Sequence, residues 1–177
     1  MCRCDGGLTP LNMPATFTIQ QAHNGDALAA FKALCAEYAA SLQYTSECAS
    51  LEHQGIDDEL ASLPGRYAPP AGRMLIALDP TGTPVGCVAL RPLETGICEM
   101  KRMYIRPAVR GQGLGRELAV AIINAARETG YGAMRLDTGA TMTAAASLYT
   151  SLGFRDIPPY NRDPTPGTRW MELRLDG

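Results

Sequence analysis

From Thr16 onward, apolar and polar positions fall into runs whose period changes along the chain. The stretch "TFTIQQA" (16–22) alternates and predicts a strand. Leu28, Phe31, Cys35, Tyr38 and Leu42 then recur at spacings of three and four. That spacing predicts an amphipathic helix, with Asn24 or Asp26 available as N-cap. "GIDDELASLPGRYAPP" (55–70) reads as a short helix with acidic residues in its first turn, closed by Pro64-Gly65, and a stiff loop follows from Arg66 to Gly72. "RMLIALD", the turn "PTGTP" and "VGCVALRPL" predict a hairpin. "GICEMKRMYIRP" (96–107) is a further strand. Gly113 to Thr129 is a helix with Leu114, Leu118, Ile122 and Ala125 on one face and Gly130 just past its end. "AMRLDT" is a strand, "TAAASLYTSLG" a helix ending at Gly153, and "FRDI" and "RWMELRL" two closing strands.

The order β-α-α-β-β-β-α-β-α-β-β combines an antiparallel meander with one strand–helix–strand crossover. It predicts an α/β (α+β) domain over 16–177, with one mixed, mostly antiparallel sheet of about seven strands and about four helices. Residues 1–15 are polar, carry two prolines and show no periodicity, so a disordered N-terminal arm is expected there.

Composition narrows the function classes. Of 177 residues, 46% are hydrophobic and 19% charged, as in ordinary globular proteins. A net charge of −2 argues against nucleic acid as a partner, since phosphate neutralisation needs a basic surface. No apolar run approaches the roughly 18 residues of a membrane span, and the first residues lack the apolar core of a secretory signal. The six cysteines, Cys2, Cys4, Cys35, Cys48, Cys87 and Cys98, do not form zinc-type pairs with the distant His23 and His53. No metal is expected. Free thiols serving as small hydrophobes in a reducing cytoplasm are the simplest reading.

The chemistry concentrates in "RGQGLGR" (110–116), between a strand and a helix. The first turn of a helix has amides without intrahelical partners and carries partial positive charge, while glycines let a ligand approach the backbone. Arg110 and Arg116 add charge, so the segment suits a phosphate or pyrophosphate. The Walker pattern is excluded because the chain contains no Gly-Lys pair. The dinucleotide pattern fails at Arg116 from one starting glycine and at Leu118 from the other.

A third pattern, R/Q-x-x-G-x-G/A, is met by Arg110, Gly113 and Gly115. Together with the strand before it, the helix after it and the later "SLYTSLGF", it resembles the acetyl-CoA-binding segment of the GCN5-related N-acetyltransferases, the GNAT superfamily. The likeness runs from about Arg73 to Leu175. "LPGRYAPP" and "IPPYN" resemble segments that flank the acceptor side in a less characterised branch of that family.

The resemblance implies an acetyl-CoA-dependent N-acetyltransferase in which a primary amine of a small molecule attacks the thioester directly in a ternary complex. Cosubstrate contacts are then expected from Met103, Tyr104 and Ile105, where an extended pantetheine arm pairs with the strand. The pyrophosphate is expected on Arg110, Gly111, Gln112, Gly113, Leu114, Gly115 and Arg116. Many members carry Asn seven residues before the motif tyrosine; here Met142 stands there, and Thr141 or Thr143 is the candidate substitute.

An amine nucleophile has to lose a proton at neutral pH. Glu99, an acid amid Ile97, Cys98 and Met100 on the strand that leads to the glycine loop, is the candidate base; a solvent-facing strand residue, or one salt-bridged to Lys101 or Arg102, is the competing reading. Tyr149 matches the family's general acid, although it also belongs to a helical stripe with Ala145, Leu148 and Leu152. Arg66, Tyr67, Arg73, Tyr160 and Asn161, with Arg169, are candidates for the acceptor site, and the arginines suit a carboxylate-bearing molecule. A protein or peptide amine acceptor and a non-catalytic acyl-CoA-binding module remain as alternatives, and a homodimer is a candidate assembly.

Overall fold

The structure is a computed structural model that describes residues 16–42, 55–163 and 165–176. The expected arm over 1–15, along with Cys2, Cys4, Cys48 and His53, lies outside the described residues.

The elements follow the expected order. Strand β1 (Thr18–Gln21) is followed by helices α1 (Gly25–Leu42) and α2 (Ile56–Ser62), then by a 3-10 turn at Gly65–Tyr67. Strands β2 (Arg73–Leu78), β3 (Pro84–Glu94) and β4 (Ile97–Ile105) form the meander. Helix α3 (Leu114–Thr129) crosses to β5 (Ala133–Thr138), and α4 (Thr143–Ser151), β6 (Arg155–Ile157) and β7 (Arg169–Arg174) complete the chain.

The seven strands form one sheet in the order β1-β2-β3-β4-β5-β7-β6, and only β4–β5 pair in parallel. Alternation along β2 and β3 divides their side chains between two cores. Leu75, Ala77, Val88 and Leu90 face α3 and α4 with Leu118, Ile122, Tyr149 and Phe154. Met74, Ile76, Cys87 and Ala89 face α1 and the 3-10 turn with Phe31, Leu34 and Tyr67. Cys35, Cys87 and Cys98 are buried free thiols inside these layers.

Two irregularities shape the site. In the β3–β4 pairing, Cys87 faces Tyr104 and Ala89 faces Lys101, so Arg102 and Met103 together oppose Val88. Arg102 has φ 58, and this bulge bends β4. The β4–β5 pairs are Ile97 with Ala133, Cys98 with Met134 and Glu99 with Arg135. Past Glu99 the two strands diverge, although β4 runs on to Ile105 and β5 to Thr138.

Candidate active site

The divergence of β4 from β5 opens a cavity of about 130 Å³. Lys101, Met103, Asp137, Met142 and Tyr149 are in its wall, joined by Tyr38 from α1. The edge of β4 that β5 leaves unpaired presents backbone amides and carbonyls to this space, a geometry that accepts an added extended segment. Of the strand residues expected at the cosubstrate, Met103 lines the cavity. Tyr104 is buried on the other core, its ring 5.6 Å from that of Tyr38. Ile105 packs towards Gly115, where an added Cβ would lie 3.1 Å from Ile105 Cδ1.

The glycine loop follows. After a 3-10 turn at Pro107–Val109, Gly111 and Gly113 adopt φ 79 and φ 89, which only glycine adopts without strain, and an added Cβ on either would meet open space. No side chain caps the start of α3; the amides of Arg116 and Glu117 turn back to Gly113 O at 3.0 and 3.2 Å. The amides before them are therefore left facing outward at the positive end of the helix dipole, as a pyrophosphate requires. Leu114 contributes its backbone there while its side chain is buried in the core.

The neighbouring side chains brace this loop. Arg110 Nε donates to Ile105 O at 3.0 Å, Gln112 Nε2 to Ala108 O at 3.4 Å, and Arg116 Nη1 to Ser151 Oγ at 3.1 Å. Thr141 and Thr143 are exposed and outside the cavity wall. Met142 is the residue that lines it, and its Sδ accepts a hydrogen bond from Tyr38 Oη at 3.9 Å.

Tyr149 is 6% exposed, its ring 5.7 Å from Phe154 and its side chain in the cavity wall. Burial, and then the nearby Tyr38 and Asp137, hold its phenol well above the ordinary range, so it is protonated at neutral pH. The helical stripe that buries the ring and the cavity that receives its edge coexist in one residue.

Glu99 is 2% exposed and closely held. Its Oε2 accepts from Arg91 Nε at 2.9 Å and its Oε1 from Tyr160 Oη at 3.0 Å, with Lys101 Nζ 3.7 Å away. Lys101 Nζ also donates to Asp137 Oδ1 at 2.9 Å, and Asn161 Nδ2 donates to Asp137 Oδ2 at 2.7 Å. Asn161 Oδ1 in turn accepts from Trp170 Nε1 at 2.7 Å. Burial first, then Asp137 and Glu99, raise the Tyr160 phenol far above its usual range. A polar chain thus crosses the sheet from β3 to the β6–β7 segment at the base of the divergence.

The acceptor-side candidates separate. Tyr160 bonds to Glu99 and Asn161 to Asp137, and of these four residues Asp137 lines the cavity. Tyr67 is buried and donates its hydroxyl to Glu59 Oε2 at 2.9 Å, beneath a second cavity whose wall also includes Arg66. Arg73 donates to the carbonyls of Pro70 and Gly72, both at 2.7 Å, and closes its own loop. Gly72 is required there, because a Cβ would fall 2.3 Å from Tyr67 C. Arg169 pairs with Asp156 near the β6 edge of the sheet.

Four residues that sequence reading did not select belong to the site: Tyr38, Arg91, Lys101 and Asp137. Lys101 and Asp137 carried a usable signal, since both are charged residues inside apolar strands. Among the described residues no group of three or more metal-ligating side chains is gathered. No described helix is long and apolar enough to cross a membrane.

Comparison with known proteins agrees with this geometry. Residues 33–154 match the model of the acetyltransferase (GNAT) family. An uncharacterized N-acetyltransferase of Schizosaccharomyces pombe is 45% identical over 126 residues, covering 71% of this chain and 77% of that protein. An IAA acetyltransferase of Azospirillum brasilense is 40% identical over 110 residues, covering 61% of this chain and 71% of its own length. The crystal structure of an acetyltransferase from Streptococcus agalactiae shares the fold at 21% identity with a TM-score of 0.73, covering 89% of this chain and 98% of the other. A diverging β4–β5 pair, an uncapped glycine-led helix beside it and these matches place the chain in the GNAT family of acetyl-CoA-dependent acetyltransferases.

Proposed function

We propose that the protein transfers the acetyl group of acetyl-CoA to a primary amine of a small molecule, both substrates being bound together. The observation that carries this reading is the cavity between β4 and β5, with the protonated Tyr149, Lys101 and Asp137 in its wall, Glu99 paired to Lys101 beside it and the glycine loop beyond the end of β4.

The residues fit the cosubstrate. Outward amides of Gly111 to Gly115, with Arg110 and Arg116, suit its pyrophosphate, and the unpaired β4 edge around Met103 suits its amide-bearing arm. When bound, acetyl-CoA supplies the activated acyl group. Thr141 and Thr143, exposed and outside the wall, are the candidates for further polar contacts.

Glu99 is the base in this reading. Its Oε1 already accepts from Tyr160 Oη, so the Tyr160 hydroxyl relays the amine proton: it takes one proton as it passes its own to Glu99. Arg91 and Lys101 fix the carboxylate in place. As the N–C bond forms and the C–S bond breaks, Tyr149 donates its hydroxyl proton to the departing sulfur. A backbone amide of β4 in the divergence stabilises the oxygen that gains charge. Residues 16–177 act as one catalytic unit, and the buried thiols suit a reducing, cytoplasmic setting.

The experiment is thermal shift with acetyl-CoA followed by thiol release against a panel of amines and amino acids. Stabilisation by acetyl-CoA together with acceptor-dependent thiol release is expected. Stabilisation without release on any acceptor of the panel returns the chain to the class of acyl-CoA-binding modules.

A further inference from the structure

The second cavity, of about 340 Å³, lies against α2 and the 3-10 turn, with Glu59, Arg66, Tyr67 and Arg91 in its wall. The acceptors of its buried carboxylate are already used. Glu59 Oε1 accepts from Arg102 Nε at 2.6 Å, and Oε2 accepts from Tyr67 Oη at 2.9 Å and Arg91 Nη1 at 3.1 Å.

Its donors are not all used. Arg91 gives Nε to Glu99 and Nη1 to Glu59, which leaves Nη2 without a partner among the described residues. Arg66 gives Nη2 to Pro92 O at 2.8 Å and keeps Nε and Nη1. The Arg91 guanidinium is held in orientation by these bonds and by the Tyr67 ring, whose centroid is 5.8 Å from Cζ. Two guanidinium groups with spare N–H donors at one cavity suit a planar anion with two oxygens, a carboxylate. Asp58, exposed in the same wall, limits the anion to one charge-compact group rather than a polyanion.

Arg91 also fixes the distance scale. It lines this cavity and lies one hydrogen bond, 2.9 Å, from Glu99. Glu99 in turn accepts from Tyr160 Oη at 3.0 Å, so a molecule whose carboxylate rests on Arg66 and Arg91 brings its amine to the Tyr160–Glu99 pair only when few bonds separate the two groups. We propose that the acceptor is a free amino acid and that Arg66 and Arg91 bind its carboxylate in this cavity. The proposal rests on the reading of Glu99 as the base, and it excludes both simple amines and protein lysines as preferred acceptors.

The test uses the full chain with acetyl-CoA and the α-amino acids, each beside its carboxamide and its decarboxylated amine, followed by thiol release. Free acids should exceed their carboxamides in kcat/KM by about tenfold or more, as expected for charge-assisted bonds to a carboxylate. Arg66→Ala, at an exposed position, should raise KM for the acid by about tenfold with a smaller change in kcat, while Arg91→Lys, which also loosens Glu99, should raise KM and lower kcat together. Carboxamides or decarboxylated amines used as well as the acids overturn the carboxylate site while leaving acetyl transfer intact. An unchanged KM in Arg66→Ala overturns it as well. Release with no member of any class, from protein that acetyl-CoA still stabilises, overturns acetyl transfer and this proposal with it.

Discussion

Arg91 Nε donates to Glu99 Oε2 at 2.9 Å across the β3–β4 pair, so the carboxylate at the base of the divergence is oriented by the strand beside it. Glu99 meets Arg91, Lys101 and Tyr160 at once. Of the competing sequence reading, the salt bridge to Lys101 describes its surroundings, while solvent exposure and a pair with Arg102 do not; the proposed base acts from within that ion-pair setting through the Tyr160 hydroxyl.

Tyr160→Phe removes the relay without removing the ring that the Arg135 guanidinium lies over at 5.7 Å. We expect kcat to fall by about 100-fold, within the usual range for lost acid–base assistance, with the thermal midpoint lowered by only a few degrees. Steady-state kinetics with a scanning thermal melt reads both. A wild-type kcat would leave Tyr160 as a packing residue.

Tyr149→Phe preserves the packing against Phe154 and deletes the proton donor. A loss in kcat of about 100-fold is expected, with KM for acetyl-CoA within a few-fold of wild type. Burial holds this phenol protonated well into alkaline solution, so Tyr149 produces no falling limb of rate between neutral pH and the ordinary phenol range. A wild-type pH–rate profile that declines from pH 8 in step with a phenol signal at Tyr149 would contradict this.

Gly113→Ala places a Cβ at φ 89 and in the space reserved for the pyrophosphate. The left-handed conformation costs about 1–2 kcal/mol for an L-residue, and the methyl group also blocks approach to the backbone. Calorimetry should show Kd for acetyl-CoA raised about tenfold or more. Equal affinity would remove the glycine loop as the cosubstrate cradle.

Glu59→Gln tests the hub that ties α2 to the sheet. Burial by itself raises the Glu59 carboxyl, but the bond and charge of Arg102, then Tyr67 and Arg91, outweigh it and hold the group below its usual 4.5. The carboxylate therefore stabilises the fold above that value, and its contribution is lost as pH falls through the lowered folded-state pKa. Breaking the buried pair should cost about 3 kcal/mol at neutral pH. Urea unfolding should show the gap between wild type and variant narrowing as acid protonates Glu59. A gap that widens in acid would reverse the assignment.

The element order was legible because most elements carry a distinct local signal: the α1 and α3 stripes, the apolar runs of β2 and β3 on either side of the turn PTGTP, and the glycine at the α3 start. The glycine turn into α3 was legible because its signal is local, contained in Arg110 to Arg116. The polar chain was not, because Lys101 and Asp137 are 36 positions apart and Arg102 and Glu59 43, and only the fold brings them together. Tyr67 shows the same limit. In a loop without periodicity, nothing showed that its ring is buried and its hydroxyl bonded to Glu59.

The most direct test of acid–base acetyl transfer in this cavity is the pH dependence of kcat/KM for wild type and Glu99→Gln with one accepted amine. With Glu99 present, activity should persist near neutral pH, where most of the amine is protonated. In Glu99→Gln, activity should be depressed most at low pH and climb about tenfold per pH unit towards the amine's own pKa, near 10 for an alkyl amine. Parallel profiles for the two proteins, differing by a constant factor or by nothing, would contradict the account.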